Sequence, residues 1–237
     1  MATKYRTPGI GGAPMPALPS AHDLRHRWFA RVTAGELLGF LAPALAGALT
    51  THAGAAALTT VMLAAGAVEG AVLGYFQAGV LRTLLSGFRI GTWTAVTSAG
   101  AVVAWSIGLL PMLYGEQFTN WPTAVQIPVA VTASLILIFS IGVAQWTVLR
   151  RFTDRAALWI LATAVAWIGG FLAFLLVAPP LWQPGQSPIL VAAIGALGGA
   201  AMAAVMAWIT GAFLPRVLTA EHLLPLRTEP DTEEVPR

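Results

Sequence analysis

Long runs of apolar residues, separated by short polar connections, dominate this chain. A helix needs about 20 residues to cross roughly 30 Å of hydrocarbon. Six runs reach that length: 28–49, 55–81, 92–113, 124–149, 157–178 and 189–214. Lipid offers no hydrogen-bond partner to backbone N–H and C=O groups, so spans of this length must be helices. The pattern therefore predicts an all-α polytopic membrane protein with six transmembrane helices.

The segments outside these runs are expected to add no second folded domain. Residues 1–20 are rich in Gly and Pro and lack the apolar core of a cleavable signal peptide. We expect a flexible N-terminal segment there, followed by a first span that acts as an uncleaved signal anchor. Residues 219–237 end in an acidic stretch that predicts a disordered cytoplasmic tail. The membrane domain is thus assigned to residues 21–218.

Composition supports the membrane assignment and narrows the possible chemistry. Hydrophobic residues make up 57% of the chain and charged residues only 10%, whereas soluble domains carry about a quarter charged residues. The chain contains no cysteine, which excludes disulfides, cysteine-ligated metals and thiol catalysis. The isoelectric point near 10.0 would suit nucleic-acid binding if the basic residues formed one patch, so their positions matter.

The basic residues are confined to alternate connections and to the two terminal segments. All 13 Lys and Arg residues lie in the N-terminal segment, the second connection, the fourth connection or the C-terminal segment. Because basic residues near spans are retained on the cytoplasmic side, both termini are predicted to be cytoplasmic, in a plasma (inner) membrane. The high isoelectric point therefore indicates topology and not a nucleic-acid partner.

The spans also show an internal repeat. Residues 74–82 match residues 142–150 at an offset of 68, whereas Gly211 aligns with the shared glutamine in a third copy. Tryptophans open the odd-numbered spans and arginines close the even-numbered ones: Trp28, Trp93 and Trp159; Arg82, Arg150 and Arg216. This spacing predicts three tandem two-helix hairpins, 28–82, 93–150 and 159–216. Membrane interfaces recruit Trp and Arg on their own, so interfacial anchoring is an alternative source of part of the match.

The end of the fourth span carries a resemblance. Its sequence is Gln-Trp-Thr-Val-Leu-Arg-Arg over residues 145–151, and a Trp-rich helix follows. Residues 142–170, and more weakly residues 74–108, resemble uncharacterised bacterial multi-span inner-membrane proteins. The resemblance implies a bacterial inner-membrane location and brings no activity with it.

Two glutamates lie within the apolar spans. Glu69 precedes Arg82 by thirteen residues, which places it about 20 Å into the membrane, near the centre. Glu36 follows Arg31 by five residues and lies about 7 to 8 Å deep. Ionisable side chains in hydrocarbon cost several kcal/mol and often mark ion pathways. Both glutamates are therefore candidate proton or cation sites.

Two glutamines fall at the depth of Glu36. Gln77 and Gln145 each stand five residues before the arginine that closes their span, so the three side chains predict a polar layer near the cytoplasmic boundary. Each candidate has a simpler alternative. Gln77 and Gln145 could serve only as packing contacts between helices, Glu36 could pair with Arg31, and Glu69 could pack as a protonated, hydrogen-bonded acid.

Two functional hypotheses remain open. The first is a small transporter or channel-like protein for protons, cations or a small solute, with Glu69, Glu36, Gln77 and Gln145 along its path. The second is a non-catalytic scaffold or accessory subunit of a larger membrane complex. No catalytic, metal-binding or nucleotide-binding motif appears, so we expect no enzyme, no metal and no cofactor. The expected partners are membrane lipids and, in the second hypothesis, other membrane subunits. Arg82, Arg150 and Arg216 are predicted to anchor the helix ends at the membrane interface.

Overall fold

The computed structural model describes residues 20–218, and the regular secondary structure in this part of the chain consists of helices without strands. Its seven helices are α1 (Ala21–Leu49), α2 (Ala55–Leu81), α3 (Ile90–Gly108), α4 (Leu110–Thr119), α5 (Thr123–Leu149), α6 (Ala157–Leu181) and α7 (Pro188–Val217). The predicted acidic tail, and the predicted flexible segment apart from Ser20, lie outside the described residues.

Six of these elements are long and apolar enough to cross a membrane, with α3 and α4 together forming one span. The helical class and the six spans are thus confirmed, and the chain is a multi-pass integral membrane protein. The third span differs from the prediction because it breaks at Leu109 and continues to Thr119. Pro111, in the first turn of α4, lacks a backbone N–H and cannot continue the α3 hydrogen-bond ladder.

The spans form a closed ring. Each span contacts the next, and α7 contacts α1 to complete the circle. Glycines allow the close approaches, because a side chain at these positions would meet the facing helix. A Cβ added to Gly74 of α2 would lie 2.9 Å from the Thr97 Cβ of α3, and one added to Gly142 of α5 would overlap Thr163 of α6.

The two ends of the ring are packed differently. At the end that carries the arginines, three tryptophans and three leucines are almost completely buried: Trp28, Trp93, Trp159, Leu81, Leu149 and Leu214. Toward the other end, α5 buries no residue before Ile141. By contrast, α2 buries side chains from Met62 onward and α7 from Ile194 onward. The ring is therefore tightly closed at the arginine end and looser at the opposite end.

Candidate functional site

Three indole N–H groups connect neighbouring helices at the closed end of the ring. Each donates one hydrogen bond: Trp93 to Gln77 Oε1 at 3.1 Å, Trp159 to Gln145 Oε1 at 2.7 Å, and Trp28 to Thr210 Oγ1 at 2.9 Å. These tryptophans lie in the core and are 0% exposed, so they do not act as surface anchors. Because each N–H finds an acceptor, the indole can be buried without an unpaired donor.

The tryptophans also determine how the two glutamines are oriented. An indole nitrogen can only donate, so the oxygen of each amide must face its tryptophan. The Gln145 amide nitrogen then donates to Gln77 Oε1 at 2.7 Å and to Thr97 Oγ1 at 3.0 Å. Gln77 Oε1 consequently accepts two hydrogen bonds, from Trp93 and from Gln145. This leaves the N–H groups of Gln77 directed away from both partners.

A small cavity lies inside the ring next to this network. Its polar lining comprises Glu36, Gln77, Gln145, Thr163 and Thr210, and the remaining lining is mainly apolar. The volume open to the centre of a water molecule is about 20 Å³, which is room for one water. The polar layer of Glu36, Gln77 and Gln145 expected from their depth is thus brought together around one space. Among residues 20–218, Glu36 is the only Asp, Glu, His, Lys or Arg in the lining.

Two residues of the cavity lining, Thr163 and Thr210, were not predicted from the sequence. Thr163 follows Trp159 by four residues, as Thr97 follows Trp93, and this repeated spacing could have identified it. Thr210 accepts the Trp28 indole bond, as Gln77 and Gln145 accept those of their own tryptophans. It stands one residue before Gly211, the position that alignment on the closing arginines puts opposite the glutamines.

Glu69 lies outside the cavity lining, in a pocket built by glycines. Its Oε2 accepts a 2.7 Å hydrogen bond from Trp105 Nε1 of α3. Gly66 makes room for that indole, since a Cβ there would overlap the Trp105 ring. On the other side, a Cβ added to Gly39 of α1 would lie only 3.3 Å from Glu69 Cγ. Glu69 is half-buried in this position, which combines packing with a polar contact.

The two glutamates occupy successive levels of the same region. Gly39, which packs against Glu69, follows Glu36 by three residues and shares its side of α1. Glu69 in turn precedes Leu73, a cavity-lining residue, by four residues on α2. The two carboxyl groups are close enough to interact electrostatically. The two carboxyl groups thus lie at successive levels of α1 and α2, with Glu36 in the cavity lining and Glu69 outside it.

The Arg31 side chain is directed toward α2. Its guanidinium lies across α2, where Nη1 is 2.7 Å from the position that a Cβ on Gly79 would occupy. Glu36 lines the cavity, whereas Arg31 is exposed. The alternative of a simple ion pair between these two residues receives no support from this arrangement.

The three arginines proposed as interfacial anchors are all exposed. The Arg150 guanidinium stacks over the Trp146 ring at 5.0 Å from its centroid, and Arg216 Nη1 donates to the Ala212 carbonyl oxygen at 3.1 Å. These contacts orient the side chains along the ends of α5 and α7. Whether the arginines bind lipid headgroups stays a prediction.

Within residues 20–218, no group of three or more His, Cys, Asp or Glu side chains is placed to hold a metal ion. The polar groups that converge instead are one carboxyl group, two amides and two hydroxyls around a space for one water. Such a set can hold water and exchange a proton. Comparisons of the chain with protein-family models, with curated proteins and with solved structures find no match.

Proposed function

We propose that this protein moves protons, cations or a small solute across a bacterial inner membrane through the centre of the six-helix ring. The observation that carries the proposal is the cavity lined by Glu36, Gln77 and Gln145 inside an otherwise apolar domain. Ionisable residues in the membrane interior are costly, and they typically mark ion or substrate pathways. Glu69 extends the pathway toward the looser end of the ring.

In this proposal the domain consists of the three tandem hairpins 28–82, 93–150 and 159–216. The indole hydrogen bonds support the repeat because they run around the ring in one direction. Each tryptophan on the first helix of a hairpin donates to the second helix of the hairpin before it, and the third bond closes the circle from Trp28 to Thr210. Thr210 thus serves in the third hairpin as Gln77 and Gln145 do in the other two.

Both termini face the cytoplasm in this proposal, because the arginines cluster at the end of the ring where α1 begins and α7 ends. That end is also closed by the buried tryptophans. The opposite end, where α5 contributes no buried residue before Ile141, is more open. The packing therefore supports a conformation in which Glu69 and the cavity are approached from the outer side while the cytoplasmic side is shut.

Flux measurements in proteoliposomes test the transport proposal. Purified protein is reconstituted with an internal pH-sensitive dye, a potassium diffusion potential is imposed with valinomycin, and proton entry is recorded. Parallel assays follow Na⁺ and a panel of small solutes. We expect flux above that of protein-free vesicles, and a decrease of at least about tenfold in Glu36→Gln and Glu69→Gln, equivalent to about 1.4 kcal/mol of barrier.

Glu116→Gln is the matched control, because Glu116 is an exposed glutamate on α4 outside the pathway. This variant should transport like the wild type. If wild-type vesicles pass protons, Na⁺ and the solutes no faster than protein-free vesicles, the transport proposal is wrong. Equal rates in the wild type and in both pathway variants would show that the flux does not depend on the two glutamates.

One observation favours a second candidate function, that of an accessory subunit. Residues 123–140 of α5 include no buried residue, although the helix continues for 27 residues. A helix of another membrane protein packed there would bury this face. Site-specific photo-cross-linking in native membranes tests the idea, with the probe at Leu135 of α5 and a control probe at Leu38 of α1. These positions are matched in exposure, at 50% and 51%.

The subunit function predicts a discrete protein adduct from position 135 and none from position 38. Adducts with lipid alone at both positions would remove the support for it. The two functions are thus separated by independent measurements, flux in a purified system and contact in the native membrane.

A further inference from the structure

We infer that the central cavity takes a proton, held through a single water molecule between Glu36 and Gln77, and does not take a metal cation. This inference rests on the proposed transport function and specifies its substrate. It follows from the size of the cavity, from the direction of the amide dipoles and from the charges around Glu36.

The size of the cavity suits one water. Its volume of about 20 Å³ exceeds the roughly 10 to 15 Å³ that a water needs. A buried water also needs two to four polar partners, and the lining offers the Glu36 carboxyl group, the Gln77 amide and the Thr163 hydroxyl. The space is too small for a hydrated metal ion with several first-shell waters.

The direction of the amides disfavours a bare cation. Gln77 Oε1 is occupied by the indole of Trp93 and by the amide of Gln145, so the group that Gln77 can offer to the cavity is its N–H. An N–H group presents the positive end of its dipole, which repels a cation and donates to a water oxygen.

The other oxygens of the lining are also largely engaged. Gln145 Oε1 accepts from Trp159, and Thr210 Oγ1 accepts from Trp28 while donating to the Met206 carbonyl. Hard divalent cations require about six oxygen ligands. The Glu36 carboxyl group and the lone pairs that remain on Gln145 Oε1, Thr163 and Thr210 fall short of such a shell.

The charges around Glu36 leave the proton as the counter-charge that fits. In the part of the chain that the structure describes, no Lys, Arg or His lines the cavity. Of the helices that line it, α5 and α6 contain no ionisable residue, and α7 contains only the exposed Arg216 at its end. On α2, Glu69 is bonded to Trp105 outside the cavity lining and Tyr75 is exposed. On α1 itself, Arg31 lies across Gly79.

The position of Glu36 agrees with a water partner. Its side chain is half-buried and lines the cavity, and buried polar groups are nearly always paired with protein or with water. A water that accepts from Gln77 and bonds to the Glu36 carboxyl group satisfies both side chains at once. Proton transfer then needs only the movement of a proton between that water and a Glu36 oxygen, with no change in the surrounding bonds.

Intrinsic tryptophan fluorescence reports on this site without requiring transport. Trp93 and Trp159 bond directly to Gln77 and Gln145, so a change of charge at Glu36 alters their surroundings. The full-length protein in lipid nanodiscs is titrated from acid to alkaline pH in choline buffer, and again with Na⁺ or K⁺ replacing choline. We expect the part of the fluorescence titration that disappears in Glu36→Gln to have the same midpoint in all three salts, while a part that remains in this variant belongs to other groups such as Glu69 beside Trp105.

Two further variants keep the test decisive. Glu116→Gln should titrate like the wild type, and Glu36→Asp should retain a titration with a displaced midpoint even if Glu36→Gln fails to fold. Gln77→Glu keeps an acceptor for Trp93 but replaces the N–H groups with oxygen. We expect this variant to gain a response to Na⁺ that the wild type lacks, an effect that a purely structural role of Gln77 would not produce.

The outcomes separate this inference from the transport proposal. A wild-type fluorescence response to Na⁺ or K⁺ at constant pH that disappears in Glu36→Gln would overturn the inference, as would a wild-type protein without any Glu36-dependent pH titration. Absence of flux from wild-type proteoliposomes, combined with an intact titration, would instead reject transport and retain the proton-binding site.

Discussion

The substitution Gln145→Leu tests the hydrogen-bond network that closes the ring. Gln145 is 0% exposed and forms three side-chain hydrogen bonds, to Gln77, Thr97 and Trp159. Leucine fills a similar volume but can form none of them. The change also leaves the Trp159 N–H without its acceptor in the core.

The expected loss of stability follows from these three bonds. Side-chain hydrogen bonds between membrane helices contribute about 0.6 kcal/mol on average and up to about 1.7 kcal/mol each. With the unpaired Trp159 donor included, we expect a decrease of about 2 to 4 kcal/mol in the free energy of unfolding. In a soluble core the added apolar surface would offset part of this loss. In a membrane it does not, because lipid is as apolar as the protein interior.

Reversible unfolding with SDS from mixed micelles, followed by circular dichroism, measures this difference. Gln117→Leu is the matched control, since Gln117 is exposed on α4 and should change stability by less than about 0.5 kcal/mol. The double variant Gln145→Leu with Trp159→Phe should cost less than the sum of the single variants, because removing both partners leaves no unpaired donor.

A Gln145→Leu protein as stable as the wild type, within about 0.5 kcal/mol, would refute this reasoning. It would mean that the amide bonds contribute no more than the contacts that replace them. Strict additivity in the double variant would separately show that Gln145 and Trp159 do not act as a pair.

Two other substitutions test the packing of the ring. Gly142→Ala should destabilise the protein by about 1 to 3 kcal/mol in the same unfolding assay, because the added Cβ would overlap Thr163 and lie 3.3 Å from the Ile160 Cα. Thr210→Val keeps the shape of the side chain but removes the acceptor of the Trp28 indole. We expect it to lower the free energy of unfolding by about 1 to 3 kcal/mol, the penalty for one unsatisfied buried donor.

Each of these two substitutions has a control, in which the same change is made at a position that is open or exposed. Gly195 of α7 has open space where an added Cβ would lie, so Gly195→Ala should stabilise the helix by up to about 1 kcal/mol. Thr60 of α2 is exposed, and Thr60→Val should be nearly neutral. Destabilisation of equal size by Gly142→Ala and Gly195→Ala would contradict the packing argument, and equal effects of the two Thr→Val changes would contradict the role of Thr210.

The helical spans were predictable because the bilayer imposes a simple rule. Apolar runs of sufficient length must be helices, and the runs at 55–81 and 124–149 agree with α2 and α5 to within a residue. The end of the third span was missed. Its apolar run stops at residue 113, but α4 continues to Thr119, because an amphipathic extension of a helix leaves no comparable mark in hydropathy.

The role of the buried tryptophans was harder to anticipate. An indole suits both a membrane interface and a core where its N–H finds an acceptor, so Trp28, Trp93 and Trp159 were open to either interpretation. Only the position of an acceptor on another helix distinguishes the two. For Trp28 that acceptor is Thr210, which is separated from it by 182 positions in the chain.

The class of the protein, its six spans and the spacing of the polar residues along them follow from the chain alone, because length, apolarity and helical rise are properties of each segment. Which of those residues meet depends on how the helices pack together. This packing places Glu36, Gln77 and Gln145 around one cavity and sets Glu69 apart against Trp105. Depth along a helix is local, whereas the direction in which a side chain points into a ring depends on how all six spans pack together.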